Sequence, residues 1–170
     1  QMRLRCLDCL VGAFDRSNEG HMTAIPNMLG EVILCTKDSN SKAREASYQL
    51  LLTMSSSVGS LGTFVQMVTA GLAAKTPHMR SAAVHALSRL LFEYGGSDEE
   101  LRSMIPELIS TVLVLLREQA REIVKSVVSF VRIGVAICDP ALLEPLVPQI
   151  VDGLMLWAGE TKNRFRAKIK

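Results

Sequence analysis

The sequence predicts an all-α fold, a right-handed α-solenoid of antiparallel helix pairs. Its first basis is an internal repeat, because four stretches of one pattern start 39, 41 and 42 residues apart, at Pro26, Val65, Pro106 and Pro148. In these four stretches, apolar residues recur at offsets that trace one face of an α-helix, and the one exception is Gly71 in the second stretch. No alternating apolar and polar pattern predicts a strand. A period of roughly 40 residues is typical of HEAT or armadillo repeats, and we expect about four repeats of a longer array.

The composition suits such a solenoid. The chain has 170 residues, of which 48% are hydrophobic and 5% aromatic, as expected for helices packed by aliphatic side chains. The longest apolar runs, such as residues 112–116, are far shorter than the roughly 20 residues that a membrane span needs. We therefore expect no membrane partner, and we expect neighbouring repeats of a longer protein to cover both ends of the chain.

Helical periodicity places the elements in order: a leading helix from a preceding repeat, three helix pairs, one further helix, and the start of another near Thr161. The complete predicted helices span residues 1–16, 20–37, 41–58, 60–75, 77–94, 98–117, 120–138 and 140–158. They form one solenoid segment, residues 1–170, with repeat units of approximately 20–58, 60–94, 98–138 and 140–170. Short turns within the pairs favour antiparallel neighbours.

Local signals mark several helix starts. Thr76 and Asp139 each precede a proline, which predicts a capping side chain followed by proline at the first helical position. Ser97 and Glu100 have the spacing of a capping box, in which the two side chains bond to each other's backbone amides.

Three prolines and a glycine pair mark bends and ends. Pro26, Pro106 and Pro148 lie inside the first-helix patterns, where each removes a backbone hydrogen bond and is expected to bend its helix. Gly95 and Gly96 follow an apolar helix and are predicted to end it. A bent first helix is common in HEAT units, so the prolines support the predicted fold.

Catalytic and metal-binding patterns are missing from the sequence. No glycine-rich phosphate loop and no nucleophile elbow are present, and His21, His78 and His85 have no matching ligand pattern. Cys6 and Cys9 form a C-x-x-C pair without a second pair, so we predict that all four cysteines are small buried hydrophobic residues in a reducing compartment. We expect no enzymatic activity, metal, cofactor or small-molecule substrate.

Basic residues recur near the start of each second helix and near the end of the chain. We call Lys42, Arg44, Arg80, Arg121 and Lys125 the basic edge, and Lys162, Arg164, Arg166, Lys168 and Lys170 the C-terminal basic cluster. The arginines at 44, 80, 121 and 164 are predicted to occupy equivalent repeat positions. They would then either contact RNA or an acidic partner, or bond to turns and acids of neighbouring repeats.

The net charge of +2 is unevenly distributed. Residues 160–170 carry five basic side chains and one acidic side chain, whereas the remaining chain has 14 basic against 16 acidic residues. Any surface for RNA or an acidic partner is therefore expected to be local.

Four segments, in order, resemble the ribosomal RNA-processing protein 12 family of eukaryotes. They are SKAREASYQLLLTM (41–54), MRSAAVHALSRLLFEYGG (79–96), REIVKSVVSFVRIGVAICD (121–139) and ETKNRFRAKIK (160–170). The resemblance implies a non-catalytic HEAT-repeat protein of the nucleolus and nucleus, with shuttling to the cytoplasm as a further implication. Its implied partners are pre-ribosomal RNA and small-subunit assembly proteins, with Ran and export receptors as further candidates.

The leading hypothesis is a scaffold that binds small-subunit pre-ribosomal particles and supports pre-ribosomal RNA processing and nuclear export. The first alternative is a karyopherin-like transport receptor or adaptor that binds protein cargo and a small GTPase. A second is a cytoplasmic protein-interaction scaffold. Partner preference and cellular location distinguish the three.

Overall fold

The computed structural model describes residues 1–118 and 120–158, and its regular elements are helices and 3₁₀ turns. The helices are α1 Met2–Gly12, α2 Glu19–Cys35, α3 Ser41–Ser57, α4 Leu61–Ala70, α5 Pro77–Tyr94, α6 Glu99–Val114, α7 Arg121–Ile137, α8 Pro140–Leu143 and α9 Val147–Ala158. The 3₁₀ turns are Gly71–Ala73 after α4, Leu115–Arg117 after α6 and Glu144–Leu146 before α9. The predicted all-α fold is confirmed.

The helices form two layers. Helices α1, α3, α5 and α7 follow one another in the first layer, where α1 packs closely on α3 and α5 on α7. Helices α2, α4, α6 and α9 contact one another in the same order in the second layer. Because each helix pair packs on the next, the chain is an α-solenoid.

The core lies between the layers and consists mainly of aliphatic side chains. Its largest fully buried side chains include Phe64, Phe130, Ile25, Ile33, Leu50, Leu51, Met54, Leu87, Leu90 and Leu91. Small residues allow the close approach of α5 to its neighbours, since Ala82, Ala83 and Ala86 are all 0% exposed. A Cβ atom at Gly71 would lie 2.9 Å from the Cβ of Ala83, so this turn needs glycine.

Two predicted helix caps are confirmed. The Thr76 side chain accepts a hydrogen bond from the backbone amide of Met79 at the start of α5. Asp139 accepts from the amide of Ala141 at the start of α8. In both helices proline follows as the first residue, where its missing N–H costs nothing.

The predicted capping box is wrong. Asp98, not Ser97, caps α6, and its carboxylate accepts from the amide three residues later at 2.8 Å. Glu100 turns away to the first turn of α4, where it accepts from the Ser60 hydroxyl at 2.9 Å. The backbone amide of Gly62 and then Ser60 hold the pKa of Glu100 below its ordinary value. A neighbouring repeat therefore supplies a better set of donors than the local amide does.

The three prolines differ in position. Pro26 and Pro106 lie inside α2 and α6, as predicted. Pro148 is the second residue of α9, so the single helix predicted over 140–158 is wrong. Pro145 and Pro148 both lack an amide donor, and the chain passes through a 3₁₀ turn before α9 begins. Gly95 is the C-terminal cap of α5, as predicted, with a right-handed φ of −61°.

The cysteine prediction is only partly right. Cys138 is buried and Cys35 is half-buried, and burial raises the pKa of both thiols. Cys6 and Cys9 are exposed on α1, which contradicts the prediction that all four are buried. All four thiols are free.

Candidate interaction surface

Two arginines of the basic edge donate hydrogen bonds to the turns that precede their helices. Nη1 of Arg44 donates to the carbonyl oxygens six and five residues earlier, at 2.7 and 2.9 Å. Nη1 of Arg80 makes the same two bonds, at 2.5 and 3.1 Å. Each arginine is the fourth residue of its helix, counted after the capping residue. Their guanidinium groups therefore stabilise the turn within a repeat.

A third arginine, which sequence reasoning missed, makes the same bond. Arg102 is the fourth residue of α6, and its Nη2 donates at 2.8 Å to the carbonyl of Gly96, six residues earlier. The signal was present in the sequence as an arginine four places after a capping Asp98. A bond from the fourth helical residue, an arginine, to the preceding turn therefore occurs at the first helix of a repeat as well as at the second.

Arg80 also links two repeats. Its Nη2 lies 2.6 Å from Oε2 of Glu118, just after the 3₁₀ turn that follows α6. The two side chains are 18% and 30% exposed, so the ion pair is partly shielded from water. Because only 18% of its side chain is exposed and both terminal nitrogens are already bonded, Arg80 presents little of its guanidinium group to a phosphate.

Arg121 does not share this position, so the predicted equivalence of the arginines is wrong for it. Arg121 is the first residue of α7, and buried Val124 occupies the fourth position. The Arg121 side chain is exposed, and among residues 1–118 and 120–158 it has no hydrogen bond or ion pair. Arg121 is three residues too early to reach the carbonyls that Arg44 and Arg80 reach.

The two lysines of the basic edge are also exposed. Lys42 is the second residue of α3, and Lys125 lies one turn after Arg121 on the same face of α7. Three members of the basic edge are thus exposed and have no ion pair within residues 1–118 and 120–158, and their contact with RNA or an acidic partner stays a prediction. The C-terminal basic cluster, Lys162, Arg164, Arg166, Lys168 and Lys170, lies outside the described residues.

A polar network joins three helices beside the basic edge. Nζ of Lys37, just after α2, donates to Oγ of Ser81 at 2.6 Å and to Oε2 of Glu122 at 3.2 Å. Nδ1 of His78 lies 3.3 Å from the same carboxylate oxygen, and the hydroxyls of Ser81 and Ser126 are 2.7 Å apart. Sequence reasoning missed this network because its members come from three different repeats.

The network controls the charge of Glu122. Burial raises the pKa of this carboxyl, but hydrogen bonds from Lys37 and His78, together with their charge, outweigh burial and lower it below its ordinary value. Glu122 is therefore an anion whose carboxylate is bonded to Lys37 and His78. The side chain of Lys37 is only 17% exposed. Neither group is free to bind a ligand.

The described part of the chain offers no metal site, since no cluster of three or more His, Cys, Asp or Glu side chains could hold an ion there. None of its helices is long and apolar enough to cross a membrane. A cavity of about 810 Å³ lies between α6 and α9 and is lined largely by apolar side chains, including Leu113, Leu116, Leu156 and Trp157. The exposed cations are thus the candidate site that the geometry supports.

Comparison with known families agrees with the helix-pair architecture. A family model described as "IPO5-like, TPR repeats" matches residues 13–153, most of the chain. The chain belongs to this family. Its repeat spacing of 39 to 42 residues is longer than the roughly 34 residues of ordinary TPR units and is closer to HEAT units.

Curated relatives align over nearly the whole chain. "Putative ribosomal RNA-processing protein 12" of Schizosaccharomyces pombe is 31% identical over 99% of this chain and 15% of its own length. "Ribosomal RNA-processing protein 12" of Saccharomyces cerevisiae is 28% identical over 88% of the chain, and the human "RRP12-like protein" is 28% identical over 99%. The chain spans between 13% and 15% of the length of these relatives. They confirm the family resemblance predicted from the sequence.

Proposed function

We propose that this chain acts in ribosome biogenesis, as a non-catalytic scaffold segment that binds small-subunit pre-ribosomal particles. The alignment of nearly the whole chain with relatives named for ribosomal RNA processing carries the proposal. Support of pre-ribosomal RNA processing and nuclear export, and location in the nucleolus and nucleus with shuttling to the cytoplasm, belong to the same proposal. Stacked helix pairs offer an extended surface suited to holding macromolecules.

The exposed members of the basic edge supply the contact surface in this proposal. The side chains of Lys42, Arg121 and Lys125 are exposed to solvent. In Arg44 and Arg80, by contrast, Nη1 donates to carbonyl oxygens of a turn. The C-terminal basic cluster, which lies outside the described residues, adds five basic side chains that could bind phosphate or acidic assembly proteins in this proposal. Contacts of this kind weaken steeply as salt concentration rises, because bound phosphates release counterions.

The test is in-cell crosslinking of the tagged full-length protein, with sequencing of the attached RNA and mapping of the crosslinked peptides. We expect small-subunit precursor RNA, with crosslinks at peptides that contain Lys42, Arg121 or Lys125. A variant with all three changed to glutamate should lose these crosslinks. A matched variant, Lys42→Arg with Arg121→Lys and Lys125→Arg, should keep them because it preserves the charge.

The possible negative results of this experiment distinguish the contact surface from the scaffold function. Precursor RNA that crosslinks equally to the glutamate variant would contradict the contact surface but not the scaffold function. Absence of small-subunit precursors from the wild-type sample would contradict the scaffold function. Nucleotide-dependent binding of a small GTPase without RNA would instead indicate the transport-receptor alternative.

A further inference from the structure

An arginine lies close to two aromatic rings in the layer formed by α3, α5 and α7. Cζ of Arg89, on α5, lies 5.6 Å from the ring centre of Tyr48 on α3. It lies 5.5 Å from the ring centre of Phe92, three residues further along α5. Both distances are in the range of cation–π attraction. We call Tyr48, Arg89 and Phe92 the aromatic–arginine site.

Neighbouring groups fix this site before any partner binds. The Tyr48 hydroxyl donates to the carbonyl of Thr36 at 3.2 Å, which anchors the ring to the end of α2. Nη2 of Arg89 lies 3.0 Å from Oε2 of Glu93, one turn later. The buried Nε atom of Arg89 has no hydrogen-bond partner in the described part of the chain. Arg89 and Tyr48 are therefore held in place, and side chains held in this way lose little conformational entropy when a partner docks.

The site has an apolar surface that water still reaches. Phe92 is 57% exposed, although it lies next to a well-packed core. His85 lies seven residues before Phe92 on the same helical face. Burial, followed by the charges of Lys37 and Arg44, lowers the pKa of His85, so its imidazole is neutral near pH 7 and adds no charge here.

The next helix, α7, carries exposed positive charge. α7 packs closely beside α5, and Lys125 and Arg132 lie on one exposed face of α7. Neither side chain has an ion pair in residues 1–118 and 120–158. Together, α5 and α7 carry five basic side chains and two acidic ones, so the two helices have an excess of positive charge: Arg80, Arg89, Arg121, Lys125 and Arg132 against Glu93 and Glu122.

We propose that the aromatic–arginine site docks an acidic protein segment through a large apolar side chain. That side chain packs on Phe92 and the stacked Arg89, while carboxylates of the segment face Lys125 and Arg132. Arginine and aromatic residues dominate binding energy at protein interfaces, and complementary charge sets the orientation. The inference concerns a protein partner, and its site shares only Lys125 with the contact surface proposed for ribosome biogenesis.

The test uses the 170-residue chain and a short fluorescent peptide of glutamates with two phenylalanines, with binding followed by fluorescence anisotropy. We expect saturable binding that weakens at least tenfold in the Phe92→Ala variant, as for a hot-spot residue. Phe92→Leu should restore most of the affinity because it keeps the apolar contact. Arg132→Gln should weaken binding a few-fold, mainly at low salt.

The matched control is Val114→Ala, which truncates a side chain of 61% exposure on α6, in the other layer. It should leave peptide affinity unchanged, and replacing the peptide phenylalanines with serines should weaken binding as much as Phe92→Ala does. Three results would overturn the proposal: no saturable binding, equal losses for Phe92→Ala and Val114→Ala, or tighter binding of an oligouridylate of the same charge. The last result would assign this face to nucleic acid.

Discussion

The turn before α5 and the turn before α7 join similar helix pairs, but they are held in different ways. Before α5, Thr76 caps the helix and Arg80 bonds to two carbonyls of the turn, so the support is local. Before α7, the capping position is Ala120, which has no side-chain oxygen. There Glu122 reaches Lys37, from a distant repeat, and thereby secures the start of the helix.

This difference shows how to interpret a basic residue in the first turn of a repeat helix. Arg80 and Arg121 look alike in the sequence, since each opens an apolar helix. Arg80 is four residues past its cap and is bonded, whereas Arg121 is one residue past its cap and is exposed. The distance from the capping residue therefore decides whether the arginine supports the fold or remains available to a partner.

The largest effect on this comparison should come from Arg80→Ala. The change removes two turn bonds and leaves the partly buried Glu118 without its cation, so we expect a loss of about 2 kcal/mol in the free energy of unfolding. Urea denaturation followed by circular dichroism measures it. Arg121→Ala is the control and should change stability by less than about 0.5 kcal/mol. Equal losses would mean that both arginines support the fold.

Removing the distant support of α7 should have the next largest effect. Lys37→Met keeps the length of the side chain but removes its bonds to Ser81 and Glu122, and we expect a loss of about 1 to 2 kcal/mol. The exposed Lys42→Met change should cost less than about 0.5 kcal/mol in the same urea titration. No difference between the two variants would show that the network contributes nothing to stability.

The same network predicts a dependence of stability on pH. The pKa of Glu122 is lower in the folded chain than its ordinary value of 4.5, so the stability it contributes is present above pH 4.5 and is lost as pH falls through the folded pKa. Glu122→Gln should therefore be less stable than wild type at neutral pH, and the gap should narrow in acid. Thermal unfolding from neutral to acidic pH measures the gap, and a constant difference across that range would contradict the assignment.

A new cap should reduce the difference between the two turns, with the smallest effect. Ala120→Ser offers a hydroxyl to the backbone amides of the first turn of α7, where Ala120 has no side-chain cap bond, and we expect a gain of about 0.5 to 1 kcal/mol. Ala120→Val adds bulk without an acceptor and should give no gain. Equal stability of the serine and valine variants would show that the amides of this turn are already satisfied.

Local signals account for what could be predicted of these turns. Capping residues such as Thr76 and Asp139 act on amides two or three residues away, so their role follows from the sequence alone. The Ser97–Glu100 box had equally good spacing, yet Glu100 bonds to Ser60, 40 residues away. The sequence contains both possible partners of a polar side chain, but only the folded chain shows which of them lies nearer.

The sequence by itself determined the all-α solenoid and the start of most helices, because helical periodicity and capping depend on residues within a few positions of each other. Only the tertiary structure decided which cations are free. Arg80 reaches Glu118 and Lys37 reaches Glu122 across repeats, while Arg121 reaches no partner in the described residues. The availability of a charged side chain depends on the distances that repeat stacking creates, and those distances are a property of the packed helices.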